Sequence, residues 1–118
     1  MDRRVETVMS FVRIDPSKRI TLKVVSRMVN LSPWRLCHLF KAETGMSLIN
    51  FVHMIRMREA KNLLETTFLS IKEIRARIGA TDESYFIREF ERTYHMTPSQ
   101  YRVRYAASEL TPEPFRKS

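Results

Sequence analysis

SPWRLCHLFKAETGMSLINF, residues 32–51, has a counterpart fifty residues later in DESYFIREFERTYHMTPSQY, residues 82–101. In both stretches a capping residue is followed by apolar side chains at helical spacing, and then by a Met-Ser or Met-Thr pair that leads into another apolar run. The matched positions are Leu36, Phe40, Met46, Ser47 and Phe51 in the first stretch and Phe86, Phe90, Met96, Thr97 and Tyr101 in the second. Self-similarity at a fixed spacing indicates a duplicated structural unit.

The similarity continues upstream of both stretches, but at a spacing of 49 residues. Leu22, Val25 and Val29 match Ile71, Ile74 and Ile78. One additional residue therefore enters the second copy between its first helix and its second. Each copy consists of a short helix, a tight turn and a second helix, and this pattern predicts a helix-turn-helix.

The capping residues, glycines and prolines along the chain predict seven helices in all. They are expected at about residues 2–14, after a cap at Thr21, from Ser32-Pro33 to Gly45, over 47–66, from Ser70 to Gly79, after a cap at Asp82, and from Thr97-Pro98 to about Ala107. The periodicity also predicts that Leu22, Met28, Leu39 and Tyr94 face inward. We therefore expect an all-α, seven-helix domain made of two helix-turn-helix units joined by a long central helix. Residues 1–56 would form the first unit, residues 57–107 the second, and residues 108–118 a flexible tail.

Composition excludes several classes of protein. The 118 residues are 43% hydrophobic, which is enough for a core, and two glycines are too few for a turn-rich β fold. A single cysteine, Cys37, rules out an internal disulfide and favours a reducing compartment. No apolar run approaches the ~18 residues that span a bilayer, and the N-terminus does not resemble a cleaved signal. We expect a cytoplasmic protein that does not bind membranes, since the apolar faces are needed for the core.

The formal net charge of +8 favours a polyanionic partner. The charge is uneven: residues 1–59 contain 11 Lys/Arg and 5 Asp/Glu, whereas residues 60–118 contain 10 and 8. These counts give +6 and +2. We expect the first half to be the stronger anion-binding half.

The faces opposite the apolar stripes are the candidate binding surfaces. A helical projection of residues 33–44 places Trp34, His38 and Lys41 outward, with Arg35 and Cys37 at the flanks. In residues 83–94 it places Ser84, Arg88 and Arg92 outward, with Tyr85 and Ile87 beside them. Guanidinium groups can bind guanine, and apolar groups can contact the thymine methyl. A large aromatic such as Trp34 on an outer face is unusual unless a ligand covers it.

Residues 18–105 resemble the DNA-binding domain of the AraC/XylS transcriptional regulators. The residues that carry the resemblance are Ile74, Gly79, Asp82-Glu83-Ser84-Tyr85-Phe86, Arg88, Phe90 and Thr97-Pro98-Ser99-Gln100-Tyr101-Arg102, together with Ser32, Leu36, Phe40, Gly45, Arg56, Met57, Ala60, Leu63 and Leu64. The resemblance implies a bacterial, nucleoid-associated, non-enzymatic regulator whose two recognition helices enter successive major grooves. Its groove-facing positions fall on Trp34, Arg35, Cys37, His38, Glu83, Ser84, Tyr85, Ile87 and Arg88.

This chain departs from the family pattern at four positions. Ser26 and Arg75 follow the apolar position of the first helix in each unit, where smaller residues are usual. Ala80 replaces an aromatic residue in the second turn, and His95 stands where a glycine is expected. Arg75 would need space where two helices cross closely, and His95 would need a left-handed conformation.

The candidate residues have different expected roles. We expect Trp34 and Arg88 to contact bases, and Glu83 to accept a hydrogen bond from a cytosine amino group. Arg35, Lys41 and Arg92 are either phosphate contacts or plain surface. No spacing predicts a catalytic site, a metal site or a cofactor, so we do not expect an enzyme.

The expected partner is double-stranded DNA, bound by a monomer because the duplication provides both recognition helices. The resemblance further suggests activation through contact with RNA polymerase. The alternative is a helical protein-interaction module that kept the fold but not specific DNA binding. Both a stand-alone regulator and a fragment of a longer one are compatible with the sequence.

Overall fold

The computed structural model describes residues 1–16 and 21–110. Those residues form seven α-helices: α1 (Arg3–Ile14), α2 (Leu22–Met28), α3 (Pro33–Thr44), α4 (Leu48–Thr66), α5 (Ile71–Arg77), α6 (Glu83–Tyr94) and α7 (Pro98–Leu110). They divide into two compact units, the first ending at Arg56 and the second beginning at Met57. The all-α class and the seven predicted helices are confirmed.

Side-chain caps set the starts of the helices within both units. The Thr21 hydroxyl accepts a hydrogen bond from the Val24 N–H at the start of α2, and the Ser32 hydroxyl accepts one from the Arg35 N–H at the start of α3. Ser70 forms a reciprocal capping box with Glu73 at α5. The predicted caps at Thr21, Ser32 and Asp82 are confirmed, and Ser70 caps the helix that was predicted to begin there.

The turn of the first unit has two backbone hydrogen bonds that terminate α2. The Asn30 N–H donates to the Arg27 carbonyl at 3.2 Å, and the Leu31 N–H donates to the Ser26 carbonyl at 3.0 Å. Asn30 adopts a positive φ of 56°, which completes a Schellman-type helix end.

The second unit repeats this turn 49 residues later. The Gly79 N–H donates to the Ala76 carbonyl and the Ala80 N–H to the Arg75 carbonyl, both at 3.2 Å. Gly79 has a φ of 80°. From there to α6 the second turn is one residue longer than the first, which confirms the change of repeat spacing from 49 to 50 residues.

The core of the first unit joins α1, α2, α3 and the beginning of α4. Its buried residues are Val5, Val8, Val12, Val25, Val29, Leu36, Phe40, Leu48, Phe51 and Ile55. The Arg56 Nε donates to the Pro16 carbonyl at 3.1 Å, and partial burial of this guanidinium lowers the pKa of Arg56.

The core of the second unit joins the rest of α4 to α5 and α6, with α7 packed against it. Its buried residues are Met57, Ala60, Leu63, Leu64, Ile74, Ile78, Phe86 and Phe90. The Tyr101 hydroxyl donates to the Glu65 carboxylate, which ties α7 to α4. Burial and this hydrogen bond raise the pKa of Tyr101 above its usual 10.0. Both helix-turn-helix units therefore have a complete apolar interior.

Two expected features of packing differ in the structure. Leu22 and Met28 are exposed instead of inward, because α2 presents Val25 and the small Ser26 to the core. The Ser26 hydroxyl donates to the Lys23 carbonyl at 3.1 Å, so its burial leaves no unpaired donor. Leu39 and Tyr94 are only partly buried.

Helix α7 extends to Leu110, three residues beyond the predicted end at Ala107. Residues 108–110, expected to begin a flexible tail, are therefore helical. The rest of that predicted tail lies outside the described residues.

Candidate nucleic-acid interface

Helix α3 has a buried face and an opposite exposed face. Leu36 and Phe40 are fully buried, whereas Trp34 is 68% exposed. The other predicted contact residues on this helix are Arg35, His38 and Lys41, all exposed, and Cys37, which is half-buried. The structure therefore brings all five predicted residues of the first unit onto one helix, with Cys37 at the margin of the exposed face.

The rings of Trp34 and His38, one helical turn apart, form a close, tilted contact. Their ring centroids are 3.9 Å apart with an interplanar angle of 31°. The His38 Nδ1 lies 2.8 Å from the Trp34 carbonyl oxygen, within hydrogen-bond distance. The two rings thus form a defined aromatic surface in spite of their exposure.

Helix α6 repeats this arrangement in the second unit. Phe86 and Phe90 are buried, and Tyr85 is 48% exposed. The remaining predicted contact residues are Glu83, Ser84, Arg88 and Arg92, all exposed, and Ile87, which is half-buried. These six residues therefore share a second surface on the second unit.

The charges on α6 partly offset one another. Arg92 Nη1 lies 3.5 Å from the Glu89 carboxylate, and Glu83 and Glu91 are exposed on the same helix. On α3, Arg35 and Lys41 are exposed, and Glu43 lies near the helix end. The exposed face of α6 is consequently the less favourable one for a phosphate backbone.

The two surfaces are equivalent by position. From 32 to 50, every residue is buried, half-buried or exposed in the same way as the residue fifty positions later. Trp34 corresponds to Ser84, Arg35 to Tyr85 and His38 to Arg88. The duplication has thus conserved the scaffold while the exposed side chains differ in chemistry.

The unusual residues of the second unit fit its structure. The Arg75 guanidinium donates to the Ala80 carbonyl at 2.6 Å, so the end of this long side chain is bonded to the turn. His95 adopts the left-handed conformation expected of it, with φ of 64°, and its N–H donates to the Glu91 carbonyl at 2.7 Å. The charged end of Arg75, which was expected to need space, therefore turns back to the backbone of the turn.

The sequence interpretation did not include Lys23 and Arg27. Both are exposed on α2, four residues apart and therefore on one side of the helix. In a helix-turn-helix the first helix crosses the DNA backbone, so cations on it are suited to phosphates. Their i, i+4 spacing is the signal by which the sequence could have identified them as contact residues.

The described part of the chain has neither a cluster of metal ligands nor a membrane-spanning helix. Within residues 1–16 and 21–110, no group of three or more His, Cys, Asp or Glu side chains is arranged to hold a metal ion. No helix there is both long and apolar enough to cross a membrane.

Comparison with curated proteins gives significant sequence similarity to transcriptional regulators. The arabinose operon regulatory protein of Escherichia coli is 32% identical over 104 residues, which cover 87% of this chain and 36% of that protein. The chain spans about a third of the length of the curated relatives it matches.

Comparison with solved structures gives the same architecture. The C-terminal domain of AraT, a response regulator from Geobacillus stearothermophilus, is 33% identical with a TM-score of 0.85, covering 95% of this chain and 93% of that one. The DNA-binding domain of AdpA, solved in complex with a target DNA, has a TM-score of 0.85 at 21% identity, covering 90% of this chain and 96% of that one, and at that identity it supports the fold alone.

A family model described as a helix-turn-helix domain matches residues 25–104, which cover most of both duplicated units. That span contains α3, α6 and every residue assigned above to the two exposed surfaces. The chain belongs to the AraC/XylS family of helix-turn-helix transcriptional regulators, as a DNA-binding domain of that family.

Proposed function

We propose that this chain binds double-stranded DNA sequence-specifically, with α3 and α6 entering two successive major grooves. The observation that carries the proposal is the pair of equivalent exposed surfaces on repeat-related helices, each opposite a buried aromatic face. A recognition helix needs this division, because one face must pack against its own domain while the other contacts base edges. The residues proposed to contact DNA are Trp34, Arg35, Cys37, His38, Lys41, Glu83, Ser84, Tyr85, Ile87, Arg88 and Arg92.

The first unit is the stronger anchor in this proposal. Residues 1–59 carry +6 of the net charge, and the exposed Lys23 and Arg27 add cations beside α3. In the second unit, Arg92 pairs with Glu89 and is therefore a weaker phosphate ligand than an unpaired arginine. Phosphate contacts contribute affinity, and base contacts contribute sequence preference.

The intact second unit favours DNA binding over a protein-interaction module that has lost it. The alternative drew its support from Arg75, Ala80 and His95. Arg75 and His95 both have backbone partners, and Ala80 packs against a core that already contains the buried rings of Phe86 and Phe90. These three departures therefore give no structural reason against DNA binding by α6.

The regulator to which this domain belongs is proposed to act in the bacterial cytoplasm, at the nucleoid, as an activator that contacts RNA polymerase. Family membership supports this proposal. The duplicated units provide two recognition helices in one chain, so the domain is proposed to bind an asymmetric site as a monomer.

The decisive experiment selects bound sequences from a random duplex pool and then footprints the enriched site. We expect two protected segments about one helical turn apart, and an affinity that falls steeply with salt, with a slope of about −5 in the logarithm of the association constant against log salt for roughly six phosphate contacts. The double variant Trp34→Ala/Arg88→Ala should lose the enriched motif, whereas Phe68→Ala should retain it. Phe68 is a matched control because it is a fully exposed aromatic residue outside α3 and α6. Protection of a single groove, or binding that is independent of salt, would contradict the proposal.

A further inference from the structure

The imidazole of His38 has a defined tautomer in its neutral form. Its Nδ1 lies 2.8 Å from the Trp34 carbonyl oxygen. A carbonyl oxygen has no proton and can only accept, so Nδ1 must be the nitrogen that carries the hydrogen. A neutral imidazole has one N–H, and the Nε2 of His38 is therefore left with a lone pair and acts only as an acceptor.

The same geometry fixes the direction of the ring. The indole of Trp34 packs over the imidazole at 3.9 Å between centroids. With one face covered and Nδ1 engaged at the backbone, the Nε2 edge is the polar part of this exposed side chain that remains for a ligand. Because the bond is made to the backbone of residue 34, the tautomer does not depend on the indole.

The equivalent residue of the second unit has the opposite hydrogen-bonding character. Arg88 lies fifty positions after His38, is equally exposed, and its guanidinium can only donate. In the major groove, guanine presents two acceptors, N7 and O6, whereas cytosine N4 and adenine N6 present amino donors. An acceptor at position 38 suits an amino group, and a donor at position 88 suits guanine.

We infer that His38 accepts a hydrogen bond from the exocyclic amino group of a cytosine or adenine, while Arg88 donates to a guanine at the equivalent place in the other half of the site. The two half-sites then differ at this base by chemical necessity, although the helices that contact them are related by duplication. The inference rests on the proposed function and assigns the base chemistry of one residue within it.

The test compares selections from a random duplex pool by the wild-type domain and by His38→Arg, His38→Ala and Trp34→Ala. We expect one column of the enriched motif to change from cytosine or adenine to guanine in His38→Arg, and to lose its preference in His38→Ala. A single neutral hydrogen bond corresponds to a preference of about three- to tenfold. Trp34→Ala should bind more weakly but keep the wild-type base in that column, since the carbonyl that sets the tautomer remains.

Modified duplexes then identify the atom that is contacted. Purine in place of adenine, or removal of the cytosine amino group, should weaken wild-type binding three- to tenfold and leave His38→Ala unchanged. For His38→Arg bound to its guanine site, 7-deazaguanine should weaken binding, because the substitution removes the N7 acceptor. Long-range 1H–15N spectra of the free domain at alkaline pH should show His38 protonated at Nδ1.

Several results would overturn the inference. They are a wild-type preference for guanine in the column that responds to position 38, an enriched motif in which no column responds, and a free domain whose His38 is protonated at Nε2. All three are compatible with specific DNA binding, so they leave the proposed function intact. Failure to enrich any motif would overturn the proposed function and this inference together.

Discussion

Replacement of Trp34 by alanine should weaken DNA binding without weakening the fold. Trp34 is the only tryptophan of the chain and is 68% exposed in the free domain. A tryptophan side chain presents up to about 250 Å², which leaves about 170 Å² accessible here. That accessible area already excludes what His38 covers, and we take about half of it as buried when DNA binds. At ~25 cal/mol per Å² the loss is about 2 kcal/mol, or roughly 30-fold in Kd.

The matching variant Arg88→Ala should have a smaller effect. Arg88 is exposed on a helix that also carries Glu83, Glu89 and Glu91, whose charge opposes a DNA backbone. We expect a loss near the low end for an arginine–guanine contact, about 1 kcal/mol, or roughly fivefold in Kd. Trp34→Ala should therefore be the more damaging of the two.

Fluorescence tests directly whether DNA covers Trp34, because the intrinsic tryptophan signal comes from position 34 alone. Acrylamide should quench the free domain efficiently, and saturation with the selected duplex should reduce the quenching constant severalfold. Binding constants for the variants follow from anisotropy of a labelled duplex, with circular dichroism as the check on folding. Exposed substitutions of this kind change stability by less than about 0.5 kcal/mol.

Two results would refute the reasoning. If the indole remains as accessible to acrylamide in the complex as in the free domain, then DNA does not cover it. If Arg88→Ala weakens binding more than Trp34→Ala, then local contacts of the second unit outweigh the greater positive charge of the first.

The other predictions concern stability. His95→Gly should raise the free energy of unfolding by about 1 kcal/mol, because glycine adopts the left-handed conformation at this position without strain. Gly45→Ala should lower it by about as much, because Gly45 has a φ of 77°; an added Cβ meets no atom within 4 Å, so no steric clash adds to this cost. Urea titration measures both changes, and a loss of stability in His95→Gly would contradict the conformational argument. Phe90→Ala should cost 3–5 kcal/mol by leaving a cavity in the second core, measured in the same titration, and a cost below about 1 kcal/mol would mean that this core is not closed. Hydrogen bonds from Arg4 hold the pKa of Asp2 at about 2, below its usual 3.8. The stabilisation of α1 by the Asp2 carboxylate should therefore be complete above about pH 4 and be lost as the pH falls through about 2. The Arg4 amide shift should report this loss, and Asp2→Asn, which keeps a capping oxygen without a charge, should abolish the pH dependence.

The helices could be predicted closely from sequence because their ends depend on local chemistry. Thr21, Ser32, Ser70 and Asp82 each satisfy the N–H groups of the turn that follows them, a contact that spans two or three residues. The duplication provided a second, independent indication of the boundaries within the two repeated units, including the one-residue difference between the two turns. The end of α7 was predicted less well, because neither a glycine nor a proline interrupts residues 108–110.

Side-chain placement depended on contacts that are distant in sequence or absent from simple periodicity. Helical spacing alone made Met28 as suitable for the core as Val25, but packing of α2 turned Ser26 inward. The sequence showed that Arg75 needs space but did not show that its guanidinium donates to the Ala80 carbonyl.

The all-α class, the two helix-turn-helix units and the outward stripes on α3 and α6 could all be predicted from the sequence, since each depends on residues within one or two helical turns. The residues proposed to contact DNA remain predictions on those stripes. Contacts between helices decided that α2 buries Ser26 and exposes Met28. The organisation of the first stripe is local, but it depends on side-chain rotamers that helical spacing does not specify. There the Trp34 ring covers His38 and the helix backbone fixes the imidazole proton, because a tautomer depends on the atom that faces each nitrogen and not on the identity of the residue.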